Sequence, residues 1–360
     1  MTSQIDFEWP GNGDFPAPKT DGTPFFDFVR AHHATEFIAA AVAHFDLFTK
    51  LADKPMSRED LASQLGLAPR AAAVFFTALR AMGLLAADEQ GRLDLPPAVR
   101  EHLLPGGDFY MGDYVGLVAQ NPGVKGLVER LRTNKPAEAR PDEGAAFMYR
   151  DGMESAMDEE ASARRLTLAL AGRARIVAPI LAQRFPLPTA RVLLDVGGGT
   201  GLYSIGLLKA NPNLRAIIWD RAQVLKVAQE MGERFGVLDQ MQFLPGDMFA
   251  DPIPAGCDAI LLSNILHDWD VPECQRLVDR CAAALPAGGQ LLIHDVFLND
   301  AMDGPLTVAL YSTALFTITE GRAYSAAEYR AMLSKGGLVP EPIVATAIHC
   351  GVLPARKPAL

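Results

Sequence analysis

The sequence predicts an α/β protein in two parts, a mostly helical N-terminal domain followed by a domain built on a largely parallel sheet. Three observations carry this prediction. From Arg191 onward, short apolar runs alternate with helical stretches, the pattern of successive βαβ units. The first of those runs ends in a glycine-rich turn, Gly197-Gly-Gly-Thr-Gly201. Before Leu104, by contrast, the chain reads as short helices and one small hairpin. Its 360 residues are enough for two domains with a sizeable core.

The N-terminal elements follow in order. Residues 1–22, rich in Pro, Gly and Asp, read as an irregular arm. Phe25 to Lys50 is helical in pattern, with Phe28, Phe37, Ile38, Val42, Phe45, Leu47 and Phe48 among many alanines. Such an apolar stretch wants burial on more than one side, within its domain or against a second subunit. Ser57 to Gly66 reads as a short helix, with Ser57 as N-cap, Asp60 at N3 and Gly66 as C-cap. A further helix covers Pro69 to Met82, and Leu84 to Leu95 reads as a hairpin turning near Glu89-Gln-Gly91. Short helices followed by a hairpin form a winged-helix pattern, whose usual partner is DNA. Here the would-be recognition helix carries two arginines, Arg70 and Arg80, and much apolar surface. The chain has 33 Lys and Arg against 43 Asp and Glu, a formal net charge of -10, unsuited to neutralising phosphates. No nucleic-acid partner is expected. The predicted boundaries are 1–105 for a winged-helix-like dimerisation domain and 106–360 for the second domain, with a helical linker at 106–185 and the sheet core at 186–360.

Cys257, Cys274, Cys281 and Cys350 form no C-x-x-C pair and read as reduced, buried thiols. The N-terminus lacks a basic region followed by an apolar core, and no uninterrupted apolar run reaches the roughly 18 residues of a membrane span. The expectation is a cytoplasmic protein without a membrane partner.

The strands are placed at Arg191–Val196, Arg215–Trp219, Met241–Leu244, Ala259–Ser263 and Gln290–Val296. A closing hairpin near Leu338–Thr346 and Ala347–Leu353 brings the sheet to seven. The turn after the first strand lets a ligand approach the backbone and opens a helix, Leu202 to Lys209. A dinucleotide fold needs G-x-G-x-x-G, but Leu202 stands at the third glycine. Asp195, Gly197, Gly199 and Gly201 instead give the spacing of a site for S-adenosylmethionine (SAM), where an acid at the strand end suits an ammonium group. Asp220, with Arg221 beside it, lies about twenty residues beyond the turn, placed to accept from ribose hydroxyls. The third strand leads to Gly246, Asp247, Met248 and Phe249. Asp247 can accept from an adenine amino group, and Met248 and Phe249 can contact the ring.

Strand four runs into Ser263-Asn-Ile-Leu-His267-Asp-Trp269, which puts His267 at the C-terminal edge of the sheet, where ligands bind in such folds. Histidine can act as a general base near neutral pH. Asp295, at the end of strand five, could orient the imidazole, with Glu320 as a second partner. His294 precedes Asp295, and adjacent strand residues point to opposite faces.

Asp195–Gly201, Asp220, Gly246–Phe249 and His267–Trp269 together resemble the small-molecule O-methyltransferases of the caffeic acid and hydroxyindole type, whose bacterial branch acts largely on aromatic natural products. The resemblance covers nearly the whole chain. It implies a Rossmann-like class I SAM methyltransferase domain, a homodimer through the N-terminal domain, His267 as proton acceptor and Asp295 as one of two carboxylate partners. It also implies an acceptor pocket lined by Met153 with residues near Phe147, Asn264 and Ala314. Three positions depart from the family. Ala323 stands near the usual second carboxylate, so Glu320 has to substitute or the role is lost. Ser263 occupies a cofactor position that often carries lysine, and Asn264 replaces a bulky aromatic.

The expected reaction is SAM-dependent methylation of a phenolic or enolic oxygen with His267 as base, without a metal. One alternative is C-methylation of an enolisable keto acid, with His294 or Tyr311 helping His267 to bind a metal or polarise the enol. Another is a SAM-binding protein without methyltransferase activity, suggested by the incomplete carboxylate set.

Overall fold

A computed structural model describes residues 13–135 and 160–359. The expected substrate residues Phe147 and Met153 lie outside the described residues. The strands, in chain order, are β1 (Ala86–Ala87), β2 (Leu93–Asp94), β3 (Val192–Val196), β4 (Arg215–Asp220), β5 (Met241–Pro245), β6 (Ala259–Ser263), β7 (Gln290–Leu298), β8 (Tyr324–Ser325), β9 (Val339–Pro340), β10 (Val344–Ala345) and β11 (Cys350–Arg356).

The chain divides into two compact units. The helical unit takes in the described residues between 25 and 135 together with 298–326, and the sheet unit takes in 13–24, 160–297 and 327–359. This differs from a division at 105/106. The helix Leu306–Ile318 is apolar on every side and packs against the helix Pro69–Ala81. Its Phe316 joins the core formed by Phe37, Phe75 and Leu79, as do Val124, Leu127 and Leu131 of the helix Pro122–Thr133.

Within the helical unit, the Ser57 hydroxyl accepts from Asp60 N at 3.0 Å and starts the helix Arg58–Leu65, which Gly66 ends at φ 67°. The hairpin β1–β2 is antiparallel and turns through Asp88 to Gly91, with Asp88 Oδ1 accepting from Gln90 N and Arg92 N. Both arginines of the would-be recognition helix are engaged inside this unit. Arg70, 4% exposed, donates to the carbonyls of Thr319 and Gly321 and stacks on Phe316. Arg80 donates to the carbonyls of Ala301 and Met302. Neither guanidinium is presented to a phosphate backbone.

In the sheet unit, the main path runs β10-β11-β7-β6-β3-β4-β5. β3 pairs in parallel with β4 and β6, β4 with β5, and β6 with β7, while β11 runs antiparallel to β7 and β10. From β3 the chain builds one side through β4 and β5, then returns to build the other through β6 and β7. That reversal opens a crevice at the C-terminal ends of β3 and β6, the position where ligands bind in doubly wound sheets. The residues after β3, β4, β5 and β6 are therefore delivered to one edge.

The long helix Glu160–Arg184 packs along the helix Leu202–Ala210. The segment Ala163–Arg184 is long and apolar enough to cross a membrane by composition, but more than half of it is buried against protein. Close approach is possible because residue 206 is glycine, where a Cβ would lie 2.9 Å from Ala178 O. From the N-terminal arm, Phe15 meets Phe235 edge-on at 5.0 Å, and the Arg175 guanidinium lies 4.5 Å from the Phe15 ring.

Candidate active site

The turn after β3 is shaped for a ligand rather than for side chains. Gly197, Gly199 and Gly201 have φ of 63°, 57° and 69°, a region that favours glycine. A Cβ on Gly197 would lie 2.5 Å from Ile265 Cδ1, and one on Gly198 would lie 2.8 Å from Ile218 Cγ2. Gly199 faces open space, with only Gly197 O at 4.0 Å from its would-be Cβ. Met248 and Ile265 together supply apolar atoms next to Gly197. Gly246 is constrained from the other side, since a Cβ there would collide with the Trp219 indole nitrogen at 2.2 Å.

Two carboxylates stand behind this turn. Asp220 Oδ2 accepts from Gly199 N at 2.8 Å and its Oδ1 accepts from Arg221 N at 2.7 Å. Burial raises its pKa, against the pull of those two N–H groups. Asp195, 2% exposed, accepts from the Ser204 hydroxyl at 2.6 Å. Burial pushes it up to about 7; the Ser204 bond opposes the rise and the neighbouring Asp220 adds to it. Asp195, buried, and Asp220, partly buried, both held above the usual carboxylate range, fit a ligand with an ammonium group and hydroxyl donors. The SAM assignment made from the spacing therefore has a chemical match in the site.

Asp247 behaves differently from a free acceptor. Its Oδ1 accepts from Phe249 N at 2.7 Å and Ala250 N at 3.2 Å, closing a turn after β5. One oxygen is thus spent on the loop. Phe249 stands edge-on to Trp269, with ring centroids 4.6 Å apart.

His267 sits in a single 3-10 turn, Leu266–Asp268, just beyond β6. The turn is anchored by the helix Val271–Ala284, whose Cys274 thiol donates to Leu266 O at 3.1 Å. His267 is 3% exposed, and its Nδ1 lies 2.6 Å from Asp295 Oδ1. Asp295 is 0% exposed; Oδ1 also accepts from Val296 N at 2.8 Å, and Oδ2 accepts from the Tyr329 hydroxyl at 3.2 Å. On the far side of the ring, His267 Nε2 lies 3.7 Å from Asp268 Oδ1. Burial lowers the imidazole pKa, but the charges of Asp295 and Asp268 outweigh it and leave the group raised. For Asp295, burial raises the carboxyl while the His267 charge and hydrogen bond overcome it and leave the group lowered. Burial also pushes Asp268 up to about 6, with His267 opposing.

His294, expected near the acceptor, is held elsewhere. Its Nδ1 pairs with Ser263 Oγ at 2.8 Å and its Nε2 with Thr346 Oγ1 at 3.1 Å. Burial pushes its pKa down to about 3, so the ring is neutral with both nitrogens engaged. Neither nitrogen is presented to an acceptor or a metal. The cause is strand alternation, which sends His294 and Asp295 to opposite faces of β7. Ser263 is likewise tied into this cluster, accepting from Asn264 Nδ2 at 3.1 Å.

Asn264 has φ 57°, uncommon for a residue other than glycine. Its Nδ2 also donates to the Tyr203 hydroxyl at 3.3 Å, while its Oδ1 is buried without a protein partner among the described residues. Such an acceptor calls for a donor from a ligand or a solvent molecule.

Glu320, Tyr311 and Ala314 belong to the helical unit. Tyr311 and Ala314 lie on the helix Leu306–Ile318, where the buried Arg30 guanidinium stacks 4.3 Å from the Tyr311 ring. Glu320 follows that helix and is half-buried. Sequence reading missed Ser204, Tyr203, Asp268 and Tyr329. Asp268 adjoins His267, and Ser204 follows the glycine turn on the first turn of its helix, so both had a positional signal. Tyr329 lies 34 residues from Asp295 and had none.

A family model described as an O-methyltransferase domain matches residues 137–339. The 3-hydroxy-5-methyl-1-naphthoate 3-O-methyltransferase of Streptomyces sahachiroi is 34% identical over 84% of this chain and 85% of its own length. The tetracenomycin polyketide synthesis 8-O-methyl transferase TcmO of Streptomyces glaucescens is 30% identical over 91% of this chain and 94% of its own. Among solved structures, an O-methyltransferase family 2 protein from Planctomyces limnophilus, in complex with apigenin, is 44% identical, covers 95% of this chain and 98% of its own, and superposes with a TM-score of 0.86. With its glycine turn, paired carboxylates and His267–Asp295 couple, the chain belongs to the O-methyltransferase domain family and is a SAM-dependent methyltransferase.

Proposed function

We propose that the protein transfers the SAM methyl group to a phenolic or enolic hydroxyl of a small aromatic molecule, with His267 as general base. The observation that carries this reading is the 2.6 Å contact between His267 Nδ1 and Asp295 Oδ1. An ionised carboxylate on Nδ1 selects the tautomer with its proton there, which leaves Nε2 as the basic atom. The aromatic acceptor is supported by the naphthoate named for one relative and the apigenin bound to another.

The residues divide the work. Asp220 accepts hydrogen bonds through lone pairs not used by Gly199 N and Arg221 N, and Asp195 supplies negative charge behind the turn. Met248, Phe249 and Ile265 give apolar contact. When bound, SAM supplies a methyl group on a positively charged sulfur. A phenol titrates near about 10, so at neutral pH its proton must be removed as the oxygen reacts. His267 takes that proton on Nε2, and Asp295 stabilises the resulting imidazolium, an effect typically worth roughly 10²–10⁴ in rate. The engagement of both His294 nitrogens removes it as a metal ligand and so weakens the C-methylation alternative.

The test is incubation with labelled SAM and a panel including apigenin and hydroxynaphthoates. Label should appear on an aromatic oxygen, and His267→Ala should cut turnover at least a hundredfold while leaving SAM affinity unchanged. Undiminished turnover in that variant would overturn the assignment.

We further propose that the protein is a cytoplasmic homodimer formed through the helical unit. Phe25, Phe28 and Val29 on the helix Thr23–Arg30 are 77%, 81% and 70% exposed, and Phe109, Tyr114 and Leu117 are 64%, 73% and 74% exposed. Large side chains exposed in such number on one unit favour a covering partner. Four buried cysteines, none of them in a disulfide, support a reducing compartment.

A further inference from the structure

We propose that Tyr329 is a positioning residue for this reaction, its hydroxyl fixing the Asp295 carboxylate that in turn orients the His267 ring. The inference rests on the reading of His267 as base.

Tyr329 lies on the helix Ala326–Lys335, and its side chain is 0% exposed. A buried tyrosine hydroxyl needs a partner, and this one donates to Asp295 Oδ2 at 3.2 Å. The ring is locked by Phe297, edge-on at 5.7 Å, two residues beyond Asp295 on the same strand. Three donors therefore grip one carboxylate from both ends: His267 Nδ1 and Val296 N on Oδ1, and Tyr329 on Oδ2. A carboxylate torsion is broad and roughly two-fold, so it is softly held unless both oxygens are engaged. With Oδ2 fixed, Oδ1 stays in line with Nδ1, and Nε2 keeps a fixed direction.

The hydroxyl also has an electrostatic effect with a definite sign. Its hydrogen bond stabilises the Asp295 anion, which lowers the pull of that anion on the imidazole proton. Removing it makes the carboxylate more basic and holds the His267 proton more tightly, so His267 titrates higher. The other charged groups acting on this pair are Asp268 and Arg173, the latter from the helix Glu160–Arg184. Neither is altered by a change at position 329.

The experiment compares the full chain with Tyr329→Phe. The His267 ring is titrated by NMR with labelled histidine, without acceptor, and turnover is measured with apigenin. The titration should move up by about half a pH unit, and kcat should fall about tenfold with the KM for SAM unchanged. In an Asp295→Asn background the same replacement should have no further effect on turnover. An unmoved titration, or an equal loss in the Asn background, overturns the proposal. Should Tyr329→Phe fail to fold, 3-fluorotyrosine placed at 329 preserves the packing and strengthens the donor. The titration should then move down, and an absence of movement likewise overturns the proposal. The NMR readout needs no turnover, so it stands or falls separately from the role of His267 as base.

Discussion

Asp195 shows how a single buried carboxylate can make cofactor binding depend on pH. Burial holds its pKa near 7, so in the cofactor-free protein it is largely protonated under mildly acidic conditions. A cationic ligand binds best to the ionised form, and apparent affinity scales with the fraction of protein in that form. SAM affinity should therefore rise roughly eightfold between pH 6 and pH 7.5, below the titration of the cofactor's own amino group. Calorimetry on the Asp195→Asn variant should find that dependence gone. The sign for stability is the reverse. A carboxyl raised above its unfolded 3.8 keeps its proton longer when folded, so it makes the cofactor-free protein less stable as pH climbs toward 7. His267 and Asp295 bracket a different window. The raised imidazole contributes stability that is present below 6.5 and lost as pH rises through its folded value. The lowered carboxyl contributes stability present above 3.8 and lost as pH falls through its folded value. The acid limb of kcat/KM should accordingly lie above pH 6.5, and a limb below that value would contradict the His267 environment. At this scale the sequence is legible where chemistry is local. An acid at a strand end followed by glycines announced Asp195, and an acid about twenty residues beyond that turn announced Asp220. It could not show that Asp247 spends an oxygen on its own loop, or that Tyr329 reaches Asp295, because both facts depend on geometry that no spacing encodes.

At the scale of elements, the helix Leu202–Ala210 depends on one absent methyl group. A Cβ on Gly206 would meet the backbone oxygen of Ala178 at 2.9 Å and its carbonyl carbon at 3.2 Å. Neither atom can rotate away, so Gly206→Ala should destabilise the protein by about 1–3 kcal/mol, as overpacked cores do. Chemical denaturation would measure it, and an unchanged midpoint would show that the two helices can separate without cost. The same helix carries the glycine turn at its start, so the variant should also weaken SAM binding. Strands were readable from the sequence because a buried parallel strand is a short apolar run bounded by turn residues. The antiparallel closure by β11 was readable in kind, from a late pair of apolar segments. The helix Leu306–Ile318 was not assignable to its neighbours. A helix apolar all round must be buried, but its pattern has no face that says against what. That is why residues 298–326 were placed with the sheet core, although they share the core of the helical unit.

For the whole molecule, the proposed dimer makes a simple prediction. Light scattering of the purified chain should give twice the monomer mass of 38.8 kDa. The double variant Phe28→Asp and Leu117→Asp places two charges among the exposed apolar side chains and should yield monomer. A monomeric, fully active parent protein would overturn the dimer. The short helices and the hairpin stand where the sequence placed them and are silent about partners, since Arg70 and Arg80 donate to carbonyls of the 298–326 segment. That segment has a consequence for how the protein can be taken apart. The polypeptide leaves the helical unit, builds most of the sheet unit, returns for residues 298–326, and leaves again. No single cut yields both units whole. A fragment ending at Ala146 would lack Phe316 from its core and the Thr319 and Gly321 carbonyls that accept from Arg70. The two units are inseparable by truncation, so the gene segment for either one cannot be shuffled onto another protein as a block.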